Sequence, residues 1–75
     1  MITPAEIESM IREAMPDARV TVTDMRGTGD HFEIFVQSAL FKDKPIIEQH
    51  KMVYAVLKKE MDERIHAVQL KTKAA

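Results

Sequence analysis

Hydrophobic and polar positions along this chain change period three times, and each change marks a new element. Thr3-Pro4-Ala5-Glu6 supplies an N-cap, a proline suited to the first helical position and a glutamate placed to close a capping box. Ile7, Met10, Ile11 and Ala14 then recur at three- and four-residue spacing while Glu6, Glu8, Arg12 and Glu13 fall elsewhere, and Pro16 forces a stop. The spacing predicts a helix over residues 4–15. From Ala18 to Met25 the period is two, with Val20 and Val22 alternating with Arg19, Thr21 and Thr23. Arg26-Gly27-Thr28-Gly29-Asp30 interrupts it, and from His31 the alternation resumes with Phe32, Ile34 and Val36 against Glu33, Phe35 and Gln37. The two strands read as an antiparallel hairpin.

Ser38 to Lys44 reads as a turn or short helical turn, and Pro45 suits the start of the next helix. Ile46, His50, Val53, Leu57 and Met61 trace an apolar stripe along a helix of about four turns. After Asp62-Glu63-Arg64, residues 65–72 are β-prone, with Ile65 and Ala67 on one face and His66, Val68 and Leu70 on the other. Lys73-Ala74-Ala75 is expected to fray. Helices with one apolar stripe each and alternating strands predict an α+β domain of order αββ(α)αβ, a three-stranded sheet with the helices packed on one face. Residues 1–75 form one domain, because a chain this short buries only about 60–65% of its unfolded surface and has no room for a second core.

Composition narrows the function. An apolar fraction of 45% and a charged fraction of 31% are those of a globular chain rather than a disordered or membrane one. Net charge is −1 and pI about 6.3, so no global positive field draws the chain to nucleic acid or to anionic lipid. There is no cysteine, which excludes disulfides, thiol nucleophiles, Cys-rich zinc sites and any cluster held by this chain's own thiolates. The first residues lack a basic and an apolar signal region and no run approaches a membrane span, so a cytoplasmic protein with no membrane contact is expected.

Candidates for chemistry are few. No Ser-His-Asp ordering, carboxylate pair, phosphate-cradling loop or His-x-x-x-His pair is evident, so stand-alone catalysis is not expected. Gly27-x-Gly29 is followed by a strand rather than a helix and reads as a flexible turn. His50, on the apolar stripe, reads as a packed imidazole with a hydrogen-bond partner, whereas His31 and His66 stand at element edges. Lys42, Lys44, Lys51, Lys58 and Lys59 are interleaved with Asp43, Glu48, Glu60, Asp62 and Glu63, the pattern of a solvated mixed-charge face.

Four spaced segments carry a resemblance. His31-Phe32-Glu33-Ile34, Ser38-x-x-Phe41-x-x-Lys44, His50-Lys51-x-Val53-Tyr54-x-x-Leu57 and Ile65-His66-Ala67-Val68-x-Leu70-x-Thr72, in this order between about Val20 and Thr72, resemble the BolA-like family. That family's fold is similar to a class II KH domain, which agrees with the element order read from periodicity. The resemblance implies a partner of monothiol glutaredoxins that co-ligates a [2Fe–2S] cluster, with the glutaredoxin cysteine and the glutathione thiolate on one side and imidazole from this chain on the other. It implies that His66 is the family's ligand histidine and that Lys44, Lys51, Arg64 and Ala67 contact the partner, and His31, next to the loop between the first two strands, is the candidate second ligand by proximity. The isolated chain is then expected to be a metal-free monomer acting in cluster trafficking or iron homeostasis.

The alternative implied by relatives is a DNA-binding transcriptional regulator of stress response or morphology. Departures from the family pattern argue against it. Phe41-Lys42-Asp43-Lys44 stands where members have Phe-x-Gly-Lys, Gln49-His50-Lys51 where they often have Arg-His-Arg, and the Thr-Pro and Trp tail is missing after Thr72. A KH domain clamps nucleic acid with a Gly-x-x-Gly loop, and the corresponding turn here has no glycine, so nucleic-acid binding is expected to be weak and non-specific. The loop between the first two strands, which in many members offers a cysteine or histidine, has only Thr28 and Asp30 before His31.

Overall fold

The computed structural model describes residues 2–27, 29–65 and 67–75; Met1, Thr28 and the expected ligand His66 lie outside the described residues. The elements are α1 (Pro4–Ala14), β1 (Arg19–Asp24), β2 (His31–Ser38), a 3-10 turn (Ala39–Phe41), α2 (Ile46–Glu63) and β3 (Ala67–Ala74). This is the α+β order expected from the sequence.

Helix α1 begins through its capping box: Thr3 Oγ1 accepts the Glu6 N–H and Glu6 Oε1 accepts the Thr3 N–H, each at 3.2 Å. Ile2, just before the cap, and Ile7 one turn in are both buried in the core, the arrangement of a hydrophobic staple. Ala14, expected on the apolar face, is exposed; the helix ends there and Met15 turns into the core ahead of Pro16.

Strands β1 and β2 pair antiparallel from Arg19↔Gln37 to Asp24↔Phe32, and Phe32, Ile34 and Val36 are fully buried on the inner face. Strand β3 adds to the other side of β2, giving the order β1-β2-β3, and it runs parallel, from His31↔Ala67 to Ser38↔Ala74. Parallel neighbours need a crossover that returns the chain to the starting end. Helix α2 supplies it: 18 residues at about 1.5 Å each carry the chain back about 27 Å. Helix α1 packs on β1 and α2, and α2 packs on β3.

Three expectations for the C-terminal half are corrected. The tail does not fray, because Ala74 completes the β2 pairing and the Ala75 N–H donates to the Ser38 carbonyl at 3.2 Å. The stripe of α2 does not begin at Ile46, which is 58% exposed; the buried positions are Gln49, Val53 and Leu57, with His50 and Met61 half-buried. Pro45 is the N-cap rather than the first helical residue. Gln49 is admitted to the core because both ends of its amide are satisfied. Its Nε2 donates to the Lys44 carbonyl at 2.8 Å and its Oε1 accepts the Thr72 hydroxyl at 2.7 Å, tying the start of α2 to β3.

Asp17 performs the matching task after α1. Its carboxylate accepts the Ala39 N–H at 2.7 Å and the hydroxyl of the buried Ser38 at 2.9 Å, fastening the α1–β1 connection to the end of β2. The Ala39 N–H, and then the Ser38 hydroxyl, hold this carboxyl below its ordinary value of 3.8. A carboxyl that titrates lower when folded stabilises fully above its unfolded value and loses that contribution as pH falls through the folded one. Asp17→Asn is therefore expected to lower the melting temperature at pH 7 and to flatten the decline of stability below about pH 4; coincident parent and variant curves would show that the anchor contributes nothing. Gln49→Ala and Thr72→Val are each expected to cost about 1–3 kcal/mol in denaturant unfolding, and the double variant less than their sum, because the second change removes a partner already lost.

Candidate functional site

The loop between β1 and β2 is organised by one carboxylate. Asp24, the last residue of β1, accepts the Arg26 and Gly27 N–H groups on Oδ1 at 3.2 and 2.8 Å and the Gly29 N–H on Oδ2 at 2.8 Å. The Arg26, Gly27 and Gly29 N–H groups can converge on one side chain because Gly27 and Gly29 take left-handed φ values of 69° and 75°. The Met25 N–H donates to the His31 carbonyl at 2.9 Å and closes the loop base. Gly27-x-Gly29, expected as a flexible turn, is thus a hydrogen-bonded one.

The loop places Asp30 just before β2 and His31 at its first position. His31 Nδ1 lies 2.7 Å from Asp30 Oδ1, and both side chains are largely shielded, at 21% and 27% exposure. Across the sheet His31 pairs with Ala67, whose N–H donates to the Asp30 carbonyl at 3.2 Å. Expected site residues His31 and Ala67 therefore share one corner. Of the described neighbours of position 66, Ile65 is buried in the core and Ala67 opens β3.

Arg64 ends α2 beside this corner. Its Nε bonds the Glu60 carboxylate, while the Arg64 and Ile65 N–H groups donate to the Glu60 carbonyl at 2.7 and 2.8 Å. The Arg64 guanidinium holds the Glu60 carboxyl below its ordinary range, and the carboxylate in turn raises Arg64. Arg64 locks the helix end as well as lying next to the site.

Lys44 and Lys51 are elsewhere. They flank the start of α2, near where β2 and β3 finish, and seven strand steps at about 3.3 Å place that end about 23 Å from His31. Lys51 lies 3.6 Å from Glu48, and Leu40, Ile46 and Ile47 are exposed in the same region. The expected contact residues thus divide between two ends of the molecule. Asp43, standing where the family pattern has glycine, adopts a left-handed φ of 62°, so the turn keeps the conformation a glycine would supply without its bare backbone. Gln49 reads from sequence as a diluted basic position, yet it is a buried bracket. His50 meets the Tyr54 ring edge-on at 6.2 Å between centroids and has no hydrogen bond among the described residues.

Among the described residues no group of three or more His, Cys, Asp or Glu converges as a metal site, and no pocket is present. The corner offers an imidazole whose Nδ1 is bound to a carboxylate, a donor set that fits one side of a shared metal centre. Sequence reasoning missed Asp24 and Asp30. Their signals are an aspartate three and five residues before glycines, and an acid directly preceding the strand-entry histidine.

Comparison with known proteins supplies the frame. A family model described as BolA-like protein matches residues 7–75. The protein BOLA2 of Arabidopsis thaliana is 36% identical over 72 residues, covering 95% of this chain and 76% of the relative. An uncharacterised protein of Rickettsia prowazekii is 28% identical over 71 residues, covering 95% and 92%. The structure of a BolA homologue from Coxiella burnetii superposes with a TM-score of 0.81 at 32% identity, covering 99% of this chain and 92% of that one. No helix among the described residues is long and apolar enough to cross a membrane. This chain belongs to the BolA-like family.

Proposed function

We propose that this protein is an adaptor, without catalytic activity of its own, that docks on a monothiol glutaredoxin and contributes imidazole ligands to a [2Fe–2S] cluster whose thiolates come from the glutaredoxin and glutathione. The observation that carries the reading is the His31↔Ala67 pairing. It sets a strand-entry histidine across the sheet from Ala67, the residue that follows His66 in the sequence. With no cysteine in the chain, a cluster at this corner needs thiolates from a partner. Neutral imidazole in place of thiolate lowers the negative charge around iron and raises the potential, as in centres with two histidine ligands. Arg64 and Ala67 lie at or beside this corner and are the contacts the reading assigns to the docked partner. Lys44 and Lys51, at the far end, contact it only if the partner wraps along α2.

The retained turn at Asp43 favours a second reading, weak binding of nucleic acid at the far end, where Lys42 and Lys44 flank it. It ranks below the adaptor because Lys51 is offset by Glu48, Gln49 is buried, and few phosphate contacts give a shallow dependence on salt.

Titration with cluster-loaded monothiol glutaredoxin, followed by visible absorption and circular dichroism, tests the adaptor. The parent is expected to change the cluster spectrum, His66→Ala to abolish the change with stability within about 0.5 kcal/mol of the parent, and His31→Ala to diminish it. His50→Ala is the control: it loses a half-buried ring and its edge-on contact with Tyr54, the contact worth about 0.5–1.5 kcal/mol beyond its area, and keeps the spectral change. A His66→Ala chain that binds like the parent would refute the ligand assignment.

A further inference from the structure

Among the described residues Asp30 is engaged through both its side chain and its main chain, and these engagements reach the two strands that meet at the site. Its carboxylate lies 2.7 Å from His31 Nδ1, and its main-chain carbonyl accepts the Ala67 N–H at 3.2 Å. The residue is itself carried on a loop whose preceding Gly29 N–H is held by Asp24. A neutral imidazole has one proton, and an adjacent carboxylate, which can only accept, keeps that proton on Nδ1 and leaves the lone pair on Nε2. Histidines that ligate metal commonly donate their other ring N–H to a carboxylate, which fixes tautomer and ring orientation and makes the ligating nitrogen more basic. Partial shielding of both side chains reduces the competition of water for this bond.

We infer that Asp30 is the positioning residue of the imidazole site: it holds His31 as the Nδ1–H tautomer, so that Nε2 is the atom offered to iron, while its carbonyl fixes the start of β3 beside it. The inference rests on the adaptor reading for what His31 ligates, and on the geometry alone for the tautomer. It makes the side chain before His31 part of the site although it never touches metal. It also sets Asp30 apart from a merely structural acid, whose loss would lower stability without changing which ring nitrogen carries the proton.

The test has two arms. In the first, long-range proton–nitrogen correlations of the histidine rings are recorded on nitrogen-15-labelled chain at a pH where the rings are neutral, with His31→Asn used to assign the signals. The parent is expected to show the Nδ1–H pattern at His31 and Asp30→Ala the Nε2–H pattern that an unconstrained side chain prefers. Asp30→Asn, nearly isosteric, retains a weaker acceptor and should give a mixture. An Nε2–H parent, or a pattern unmoved by both substitutions, overturns the inference. In the second arm the same chains compete for cluster-loaded monothiol glutaredoxin, and Asp30→Ala is expected to bind about 10–100-fold more weakly, with Asp30→Asn between it and the parent. Equal binding despite a reversed tautomer overturns the role of Asp30 toward the cluster. A parent that binds no cluster complex overturns the adaptor reading and that role together, while the first arm still decides whether Asp30 orients the ring.

Discussion

The parallel pairing of β2 with β3 is the constraint from which the rest of this small domain follows. Two parallel neighbours cannot be joined by a tight turn, so the chain must leave the end of β2, cross the sheet and return to its beginning. That requirement places α2 on the inner face and gives Val53 and Leu57 their buried positions. It demands a lock at the far end, where Gln49 joins Lys44 to Thr72. At the near end it brings Ala67 opposite His31. The corner that we assign to function is thus a by-product of how the sheet closes.

Acidic side chains do much of the fastening. The chain holds 12 acids against 11 lysines and arginines, which on composition alone reads as a near-neutral surface. Several of these acids are acceptors for specific donors instead. Asp17 takes a main-chain N–H and a buried hydroxyl at the far end of β2, Asp24 gathers the Arg26, Gly27 and Gly29 N–H groups in the β1–β2 loop, and Glu60 pairs with Arg64 at the end of α2. Asp30 continues this usage at the site. A carboxylate serves loops of this kind because it accepts several hydrogen bonds at once in places where no strand or helix partner exists.

Much of the fold was legible in the sequence, for reasons that differ by element. The capping box of α1 and the alternation through β2 are local signals, complete within a few residues, and the structure reproduces both. The parallel sense of β3 was not legible, because a strand's own pattern says nothing about the direction of its neighbour. Gln49 escaped because periodicity counts apolar side chains and cannot see an amide whose partners lie 5 and 23 residues away. For the same reason Ile46 was assigned to a stripe that is completed by its polar neighbour. Of the site, Ala67 is named by the family resemblance and His31 by its place next to the loop, but the sequence does not bring them together, and it groups Lys44 and Lys51 with them across the length of the molecule. The carboxylates of Asp24 and Asp30 matter through geometry that spacing alone does not reveal.

The central claim is that imidazole from this chain enters the coordination of a cluster that other molecules supply with thiolates. Pulsed electron paramagnetic resonance on the reduced complex with cluster-loaded monothiol glutaredoxin reads it directly, using chain labelled with nitrogen-15 only at histidine. The account predicts strong nitrogen-15 hyperfine couplings from directly ligated imidazole. A spectrum with only weak couplings from distant nitrogens, identical to that of the glutaredoxin alone, would contradict it.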